Sequence, residues 1–412
     1  MKRPIKLLAG FSGSALIAGI SSLVTIPMLV AGIGSQPWAL IAASQALGTI
    51  IAVLVQLGWG ATGTAEVAAM PCDKHFAFYS KSVQYRCLAF LLSMTALTLW
   101  IVLTQLSKTT TTEWNFFVIV GFAATGLSAN WFFVGTKNPT TMLISDAIPR
   151  AFITVTGSIC TMFLGNIWAY NFAIILGALL PVFFSSYLIA KKYGKPIGHY
   201  FIWDTSTDRR VLIEQLPGLG TALVATVYKQ LPLLILASIT PAAAAPFALI
   251  DRIYKFALAG LRPISQLLQT TIPAKSAVET AIRARSRIPK MLALSMLFAI
   301  GYLMFVFTFG ETIGSNSIRL SPSLIALSSL ALLMSFTNQW LGMGALVALN
   351  GKHELLLAVT IGASICAIIV FPLISNFYSI GAILSIAVAE TIIFLVQIIC
   401  VRKRYNAVLS VR

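Results

Sequence analysis

Charge is scarce in this sequence. Only 10% of the residues are Asp, Glu, Lys or Arg, against 58% hydrophobic, and just 12 are acidic. A soluble domain cannot bury that share of apolar side chain, so the composition excludes a water-soluble globule and indicates an integral membrane protein. Histidine is scarce too. His75, His199 and His353 are far apart and read as ordinary loop residues. The five cysteines, Cys72, Cys87, Cys160, Cys366 and Cys400, show no metal-ligand spacing. They fall in apolar segments or on the cytoplasmic side, which argues against a disulfide framework. GxxxxGK[ST], HExxH and GxSxG are absent. The chain therefore has no ATP-driven motor of its own, and no metal, no cofactor and no catalytic residue is expected. It is not read as an enzyme.

What is present is a series of long apolar runs. Runs of about 20 residues predict membrane-crossing helices. Twelve are expected, at 7–33, 38–60, 87–104, 114–135, 143–164, 167–190, 215–238, 243–272, 291–310, 323–349, 355–375 and 379–401. The first follows MKRPIK but continues to about Ile33, so it reads as a span and not as a signal peptide. A β-barrel would show shorter, alternating segments.

Two stretches repeat each other about half a chain apart. GSALIAGI begins at Gly13 and GTALVATV at Gly220, while PWALI begins at Pro37 and PFALI at Pro246. Parallel repeats of this kind predict two similar lobes related by an axis along the membrane normal, a common transporter plan. The expected fold is an all-α polytopic membrane protein, with twelve transmembrane helices in two pseudo-symmetric six-helix lobes. Residues 1–190 form the first lobe, 191–214 a cytoplasmic linker and 215–412 the second lobe. The linker is basic and carries Tyr193, Tyr200, Phe201 and Trp203, a composition suited to the inner membrane surface. Pro27 and Pro232 sit in the first helix of each repeated hairpin and are read as kinks.

Basic residues set the orientation. Lys191, Lys192, Lys195, Arg209 and Arg210, then Arg283, Arg285, Arg287 and Lys290, then Arg402, Lys403 and Arg404 all fall on one side, together with Lys74, Lys81 and Arg86. The opposite loops hold only Lys108 and Arg319. The positive-inside rule puts both termini in the cytoplasm. The formal charge of +17 reflects this topology and attraction to anionic lipid, with no indication of nucleic acid.

The informative charges lie inside the expected spans: Asp146, Arg150, Lys229, Asp251, Arg252, Lys255, Arg262 and Glu390. Each is costly there unless it meets water or a partner. Asp146 and Arg150 are four apart, as are Asp251 and Lys255, so each pair shares a helix face. Arg252, Lys255 and Arg262 fall on one broad face. Cations outnumber anions, which points to a wet cationic cavity for an anionic substrate. Arg150, Lys229, Arg252, Lys255 and Arg262 are the candidate substrate-binding residues. Asp146, Asp251 and Glu390 are candidates for ion coupling or charge balance. Structural ion pairing is the competing reading, strongest for Asp146–Arg150.

The opening hairpin, IPMLVAGIGSQPWALIAASQALGTIIAVLVQLGWGATGTAEVA, resembles the first two spans of Wzx-type polysaccharide flippases. The stretch DRIYKFALAGLRPISQLLQTTIPAKSA resembles the matching hairpin of the second lobe. That family belongs to the multidrug/oligosaccharidyl-lipid/polysaccharide exporter superfamily. The resemblance implies movement of a polyprenyl-pyrophosphate-linked oligosaccharide, such as an O-antigen repeat unit, across the bacterial inner membrane by alternating access. It also implies membrane lipids, a glycan polymerase and a chain-length regulator as partners. A drug or cation antiporter of the same superfamily is the nearest alternative. It calls for an acidic cavity and a carboxylate in the first span, and no carboxylate lies there. A lipid II flippase calls for a longer chain, and a glycan polymerase or ligase for catalytic groups in the outer loops.

Overall fold

The computed structural model describes residues 2–107, 114–196, 198, 200, 208–271, 276–349 and 351–410. Among them there is no strand. The helices in order are α1 Lys2–Ile33, α2 Ser35–Gln56, α3 Gly63–Ala69, α4 His75–Ser107, α5 Phe116–Ala124, α6 Asn130–Gly135, α7 Pro139–Met142, α8 Ile148–Leu164, α9 Trp168–Lys192, α10 Asp208–Ile239, α11 Pro241–Thr271, α12 Ala277–Ile313, α13 Pro322–Trp340 and α14 Lys352–Ser410. Wider π-helical turns occupy Leu143–Ala147 and Leu341–Leu346, and a tight 3-10 turn occupies Thr125–Leu127.

Ten described helical stretches are long and apolar enough to cross a membrane, where twelve spans are expected. The difference has two sources. α11 is 31 residues long, but Asp251, Arg252 and Lys255 crowd its middle and lower its apolar character. The stretch His353–Val408, 56 residues long, counts once although it holds two helices joined at a kink. It bends at Tyr378, where φ is 50° and ψ −123°, between two of the expected spans.

The chain divides into two compact units, Met1–Gln230 and Leu231–Arg412. The boundary falls inside α10.

In the first unit α8 packs on α1 and α9, and α5 on α2 and α9. Glycines permit the close approaches: a Cβ on Gly48 of α2 would fall 2.8 Å from the Ile119 carbonyl oxygen of α5, and one on Gly157 of α8 would fall 2.1 Å from the Ala173 Cβ of α9. Small residues at helix crossings are how membrane helices gain contact without a hydrophobic driving force between them. The rim is apolar, with Phe152, Phe163, Phe172 and Phe183 all at least 70% exposed, as lipid-facing side chains are. Asn115 caps α5 by accepting from the Val118 amide at 3.2 Å, and such a cap is worth about 1 kcal/mol.

Of the linker aromatics, Tyr200 is buried in the protein and not exposed. Tyr200 is 3% exposed and packs against Phe76 and Tyr79. Its hydroxyl donates to the Ser186 carbonyl at 2.7 Å, and its own carbonyl accepts from Gln84 Nε2 at 2.8 Å. Burial, and then the nearby Tyr79, push the Tyr200 phenol well up from its ordinary value, so it stays a neutral donor. His75 is not an ordinary loop residue either. It is buried, with Nδ1 3.1 Å from the Tyr193 hydroxyl and Nε2 3.0 Å from the Met70 carbonyl. The physical reason is an aromatic cluster around Trp131 and Phe132, which takes up these rings. His199, Phe201 and Trp203 lie outside the described residues.

In the second unit α13 packs on α11, α12 and α14. Ser276 caps α12 and Ser321 caps α13, each accepting from the amide three residues on, at 3.1 and 3.3 Å.

Candidate functional site

The first unit places its buried acid on a distorted turn. Pro149 has no N–H to offer the Ser145 carbonyl, and its ring would crowd that oxygen in a regular helix. The chain widens there into the π turn Leu143–Ala147, a distortion frequent at functional sites. Asp146 sits in this turn, 3% exposed. Its Oδ1 accepts from Arg150 Nη2 at 2.5 Å and Nε at 3.0 Å, and its Oδ2 accepts from Ser128 Oγ at 2.8 Å.

Ser128 follows the 3-10 turn that breaks the helical stretch Phe116–Gly135. The freed carbonyls are met by Arg86, which donates through Nη1 to Ser128 O at 2.8 Å and to Gly126 O at 3.3 Å. Arg86 is fully buried, with its guanidinium 5.6 Å from the Trp131 ring centroid and 5.9 Å from that of Tyr79. The sequence alone places it among the cytoplasmic basic residues. α4 begins at His75 and carries Arg86 into the protein interior, so it is a buried structural cation and not an exposed loop residue. An unbroken polar chain thus runs from Arg86 through Ser128 and Asp146 to Arg150.

Lys229 stands elsewhere in this unit, on α10, half-buried, with Nζ 5.5 Å from the ring centroid of Tyr228. At the opposite end of α10, Gln215 Nε2 donates to both Glu66 oxygens, at 2.8 and 3.1 Å, and its Oε1 accepts from Thr62. Gly58, at φ 93°, lets the two backbones meet there, since a Cβ would fall 2.1 Å from the Gln215 carbonyl oxygen.

The second unit repeats the acid–cation arrangement. Asp251 is 3% exposed and accepts from Lys255 Nζ at 2.6 Å, while its Oδ1 is buried with no hydrogen-bond partner among the described residues. Tyr254, one residue before Lys255, is 2.5 Å from Ser335 Oγ of α13. Glu390 of α14 is 2% exposed and accepts from Asn338 Nδ2 at 2.8 Å. Asp251, Glu390 and Tyr302 all lie close enough to Tyr254 to act on its hydroxyl electrostatically. Arg252 is half-buried beside this cluster. The Arg262 side chain lies outside the described residues.

Two regularities emerge. In both acid–cation pairs the carboxylate is the hidden member: side-chain exposure is 4% for Asp146 against 23% for Arg150, and 4% for Asp251 against 32% for Lys255. Each pair is neutral overall but turns its positive end outward. In each unit, too, an interrupted helix hands a donor to a buried carboxylate: Ser128 to Asp146 beside the 3-10 turn, and Asn338 to Glu390 just before the π turn Leu341–Leu346. Among the described residues no group of three or more His, Cys, Asp or Glu is disposed to hold a metal ion.

The fold has solved counterparts. An inward-facing multidrug resistance MATE family transporter of the MOP superfamily aligns at a TM-score of 0.64 and 11% identity, over 96% of this chain and 95% of that one. A mutant of the Vibrio cholerae MATE transporter VcmN aligns at 0.54 and 14% identity, over 99% of both chains. A MOP superfamily transporter from Pyrococcus furiosus, for which a reversed polarity of the binding pocket suggests a different function, aligns at 0.52 and 13% identity, over 98% of this chain and 96% of that one. At these identities the likeness establishes a MATE-like transporter fold. No individually curated protein matches the chain. The family model described as polysaccharide biosynthesis protein matches residues 8–279, a range that takes in both acid–cation pairs. An all-helical membrane chain with this fold, matched by that model over most of its length, belongs to the polysaccharide biosynthesis protein family.

Proposed function

We propose that the chain is a flippase. It moves a polyprenyl-pyrophosphate-linked oligosaccharide, an O-antigen or similar surface-polysaccharide repeat unit, from the inner to the outer leaflet of the bacterial inner membrane. The observation that carries this reading is the outward-turned cation of each acid–cation pair, Arg150 over Asp146 and Lys255 over Asp251. Membership of a polysaccharide biosynthesis family supports the substrate class.

No covalent bond changes in this process, so the work is binding and release. Within the first unit a pyrophosphate competes with Asp146 for Arg150, and within the second, at another stage of transit, with Asp251 for Lys255. Arg150 offers a planar fork suited to phosphate oxygens, and Lys255 a compact charge. The resident carboxylate limits the affinity and reclaims the cation when the substrate leaves, so the site does not trap its cargo. Lys229, Arg252 and Arg262 extend the cationic path. Asp146, Asp251 and Glu390 balance charge or carry a coupling ion. With both termini in the cytoplasm, the membrane potential favours outward movement of an anion by roughly 2.3 kcal/mol per charge per 100 mV. A glycan polymerase and a chain-length regulator are the expected downstream partners.

A drug or cation antiporter is the second reading. It is favoured by two buried carboxylates, Asp251 and Glu390, near one tyrosine of the same unit, and by the likeness to MATE folds. The deciding experiment is transbilayer movement in vesicles holding only this protein. Faster movement of a polyprenyl-pyrophosphate oligosaccharide than of a neutral lipid supports the flippase. Transport of cationic dyes, with no lipid movement, supports the antiporter and makes the interior cations structural.

A further inference from the structure

The second unit carries a cavity that the transport path does not use. It has a volume of about 350 Å³ and lies between the first turns of α12 and the last turns of α14. α12 contributes Ala281, Ala284, Arg285 and Ile288, and α14 contributes Ile398, Val401, Arg402 and Tyr405, with Asn406 and Leu349 completing the lining. These four on each helix follow the same spacing of three, one and three residues, which lines up one face of a helix. In both, the third position is an arginine and the other three are apolar. The two helices therefore face each other with matched stripes: a buried floor of Ala281, Ala284 and Val401, and two exposed guanidiniums at the rim. Arg285 is braced there, its guanidinium 4.9 Å from the Tyr405 ring centroid.

The surroundings indicate the ligand. The apolar runs expected at 291–310 and 379–401 begin and end next to this cavity, which puts the rim near the membrane–water interface on that reading. Lys290 is exposed nearby and adds positive charge. Two arginines at an interface above an apolar recess match a phosphodiester with an acyl chain attached. A free anion would leave the recess empty, and a purely apolar ligand would leave the guanidiniums unused.

We propose that this cavity is a binding site for an acidic glycerophospholipid of the surrounding leaflet, distinct from the transported substrate. Arg285 and Arg402 take the phosphate, and the Ala281–Ala284–Val401 floor receives the start of an acyl chain. The site would tie the beginning of α12 to the end of α14 in membranes that carry anionic lipid. On the orientation proposed above, that is the inner leaflet.

The test is lipid retention by the purified full-length protein, read by native mass spectrometry with phosphatidylglycerol or phosphatidylethanolamine of the same acyl chains. Phosphatidylglycerol should be retained preferentially. Arg285→Ala with Arg402→Ala should weaken that retention about thirtyfold, taking each lost charge-assisted contact with the phosphate at about 1 kcal/mol. Ala284→Phe, which fills the recess and leaves both guanidiniums, should weaken it comparably. Arg283→Ala with Lys403→Ala, which removes the same charge outside the cavity, should leave it within about twofold. Equal loss in that control would overturn the site in favour of diffuse surface charge. Undiminished binding by Ala284→Phe, or displacement by millimolar inorganic phosphate, would overturn the lipid assignment. Tighter retention of a polyprenyl phosphate than of phosphatidylglycerol would make it a substrate entrance instead. Because the readout is equilibrium binding, a failure to flip oligosaccharide leaves it unaffected.

Discussion

The pairing of Asp251 with Lys255 gives a prediction in which stability and transport part company. Lys255→Met leaves behind a carboxylate that is 4% exposed and whose Oδ1 already has no hydrogen-bond partner among the described residues. Removing the partner of a buried charge costs about 3–5 kcal/mol. Asp251→Asn leaves behind an ammonium that is 32% exposed, and a flexible four-carbon stem can turn it to solvent. Screening at that exposure brings the loss down to about 1 kcal/mol. The double variant carries two neutral side chains of similar volume, and such replacements of an ion pair are close to neutral. Thermal unfolding of the purified full-length protein should therefore rank wild type and double variant together, Asp251→Asn slightly below and Lys255→Met well below. In reconstituted vesicles the double variant should still fail to move the lipid-linked oligosaccharide, because the cation proposed to meet the phosphate is gone. Equal stability of the two single variants would refute the buried-acid argument. Full transport by the double variant would refute Lys255 as a substrate ligand and leave the pair structural.

Three further outcomes are expected. Arg86→Met strands the Gly126 and Ser128 carbonyls, and at about 1–3 kcal/mol for each buried unsatisfied group the loss should be about 2–6 kcal/mol, visible as a large fall in melting temperature that Arg86→Lys does not fully reverse. Gly58→Ala places a Cβ 2.1 Å from the Gln215 carbonyl oxygen at a backbone angle L residues avoid, so it should cost at least about 2 kcal/mol by the same measurement. Gly13→Ala, which meets nothing within 4 Å, serves as its control and should be neutral or stabilising. Arg150→Gln should slow oligosaccharide movement at least tenfold, with saturation moving to higher substrate concentration; unchanged kinetics would remove Arg150 from the binding path.

The acid–cation pairs are legible in the sequence because both partners lie on one helix. Four residues is close to one helical turn, so Asp146 and Arg150, or Asp251 and Lys255, meet wherever the helix goes. Their exposures are not legible there, because these depend on which neighbouring helix covers which side. Arg86 misleads for a related reason. Its local sequence, YSKSVQYR, is polar enough to pass for a loop, and only the docking of Trp131 and of the broken helix around Ser128 makes it an interior residue.

The same division runs through the whole molecule. Residence in the membrane, helical class and the places where charges sit inside apolar segments are properties of the sequence itself. They follow from the cost of leaving backbone and charge unsatisfied in hydrocarbon, a rule that acts segment by segment. The tertiary structure alone decided that Tyr200 leaves the surface for the Phe76–Tyr79 cluster, that Asn338 reaches Glu390 from 52 residues away, and that α12 and α14 bring Arg285 and Arg402 to the rim of one cavity. Those partners are chosen by packing between distant helices, and no periodicity within a single helix encodes which distant helix it will meet.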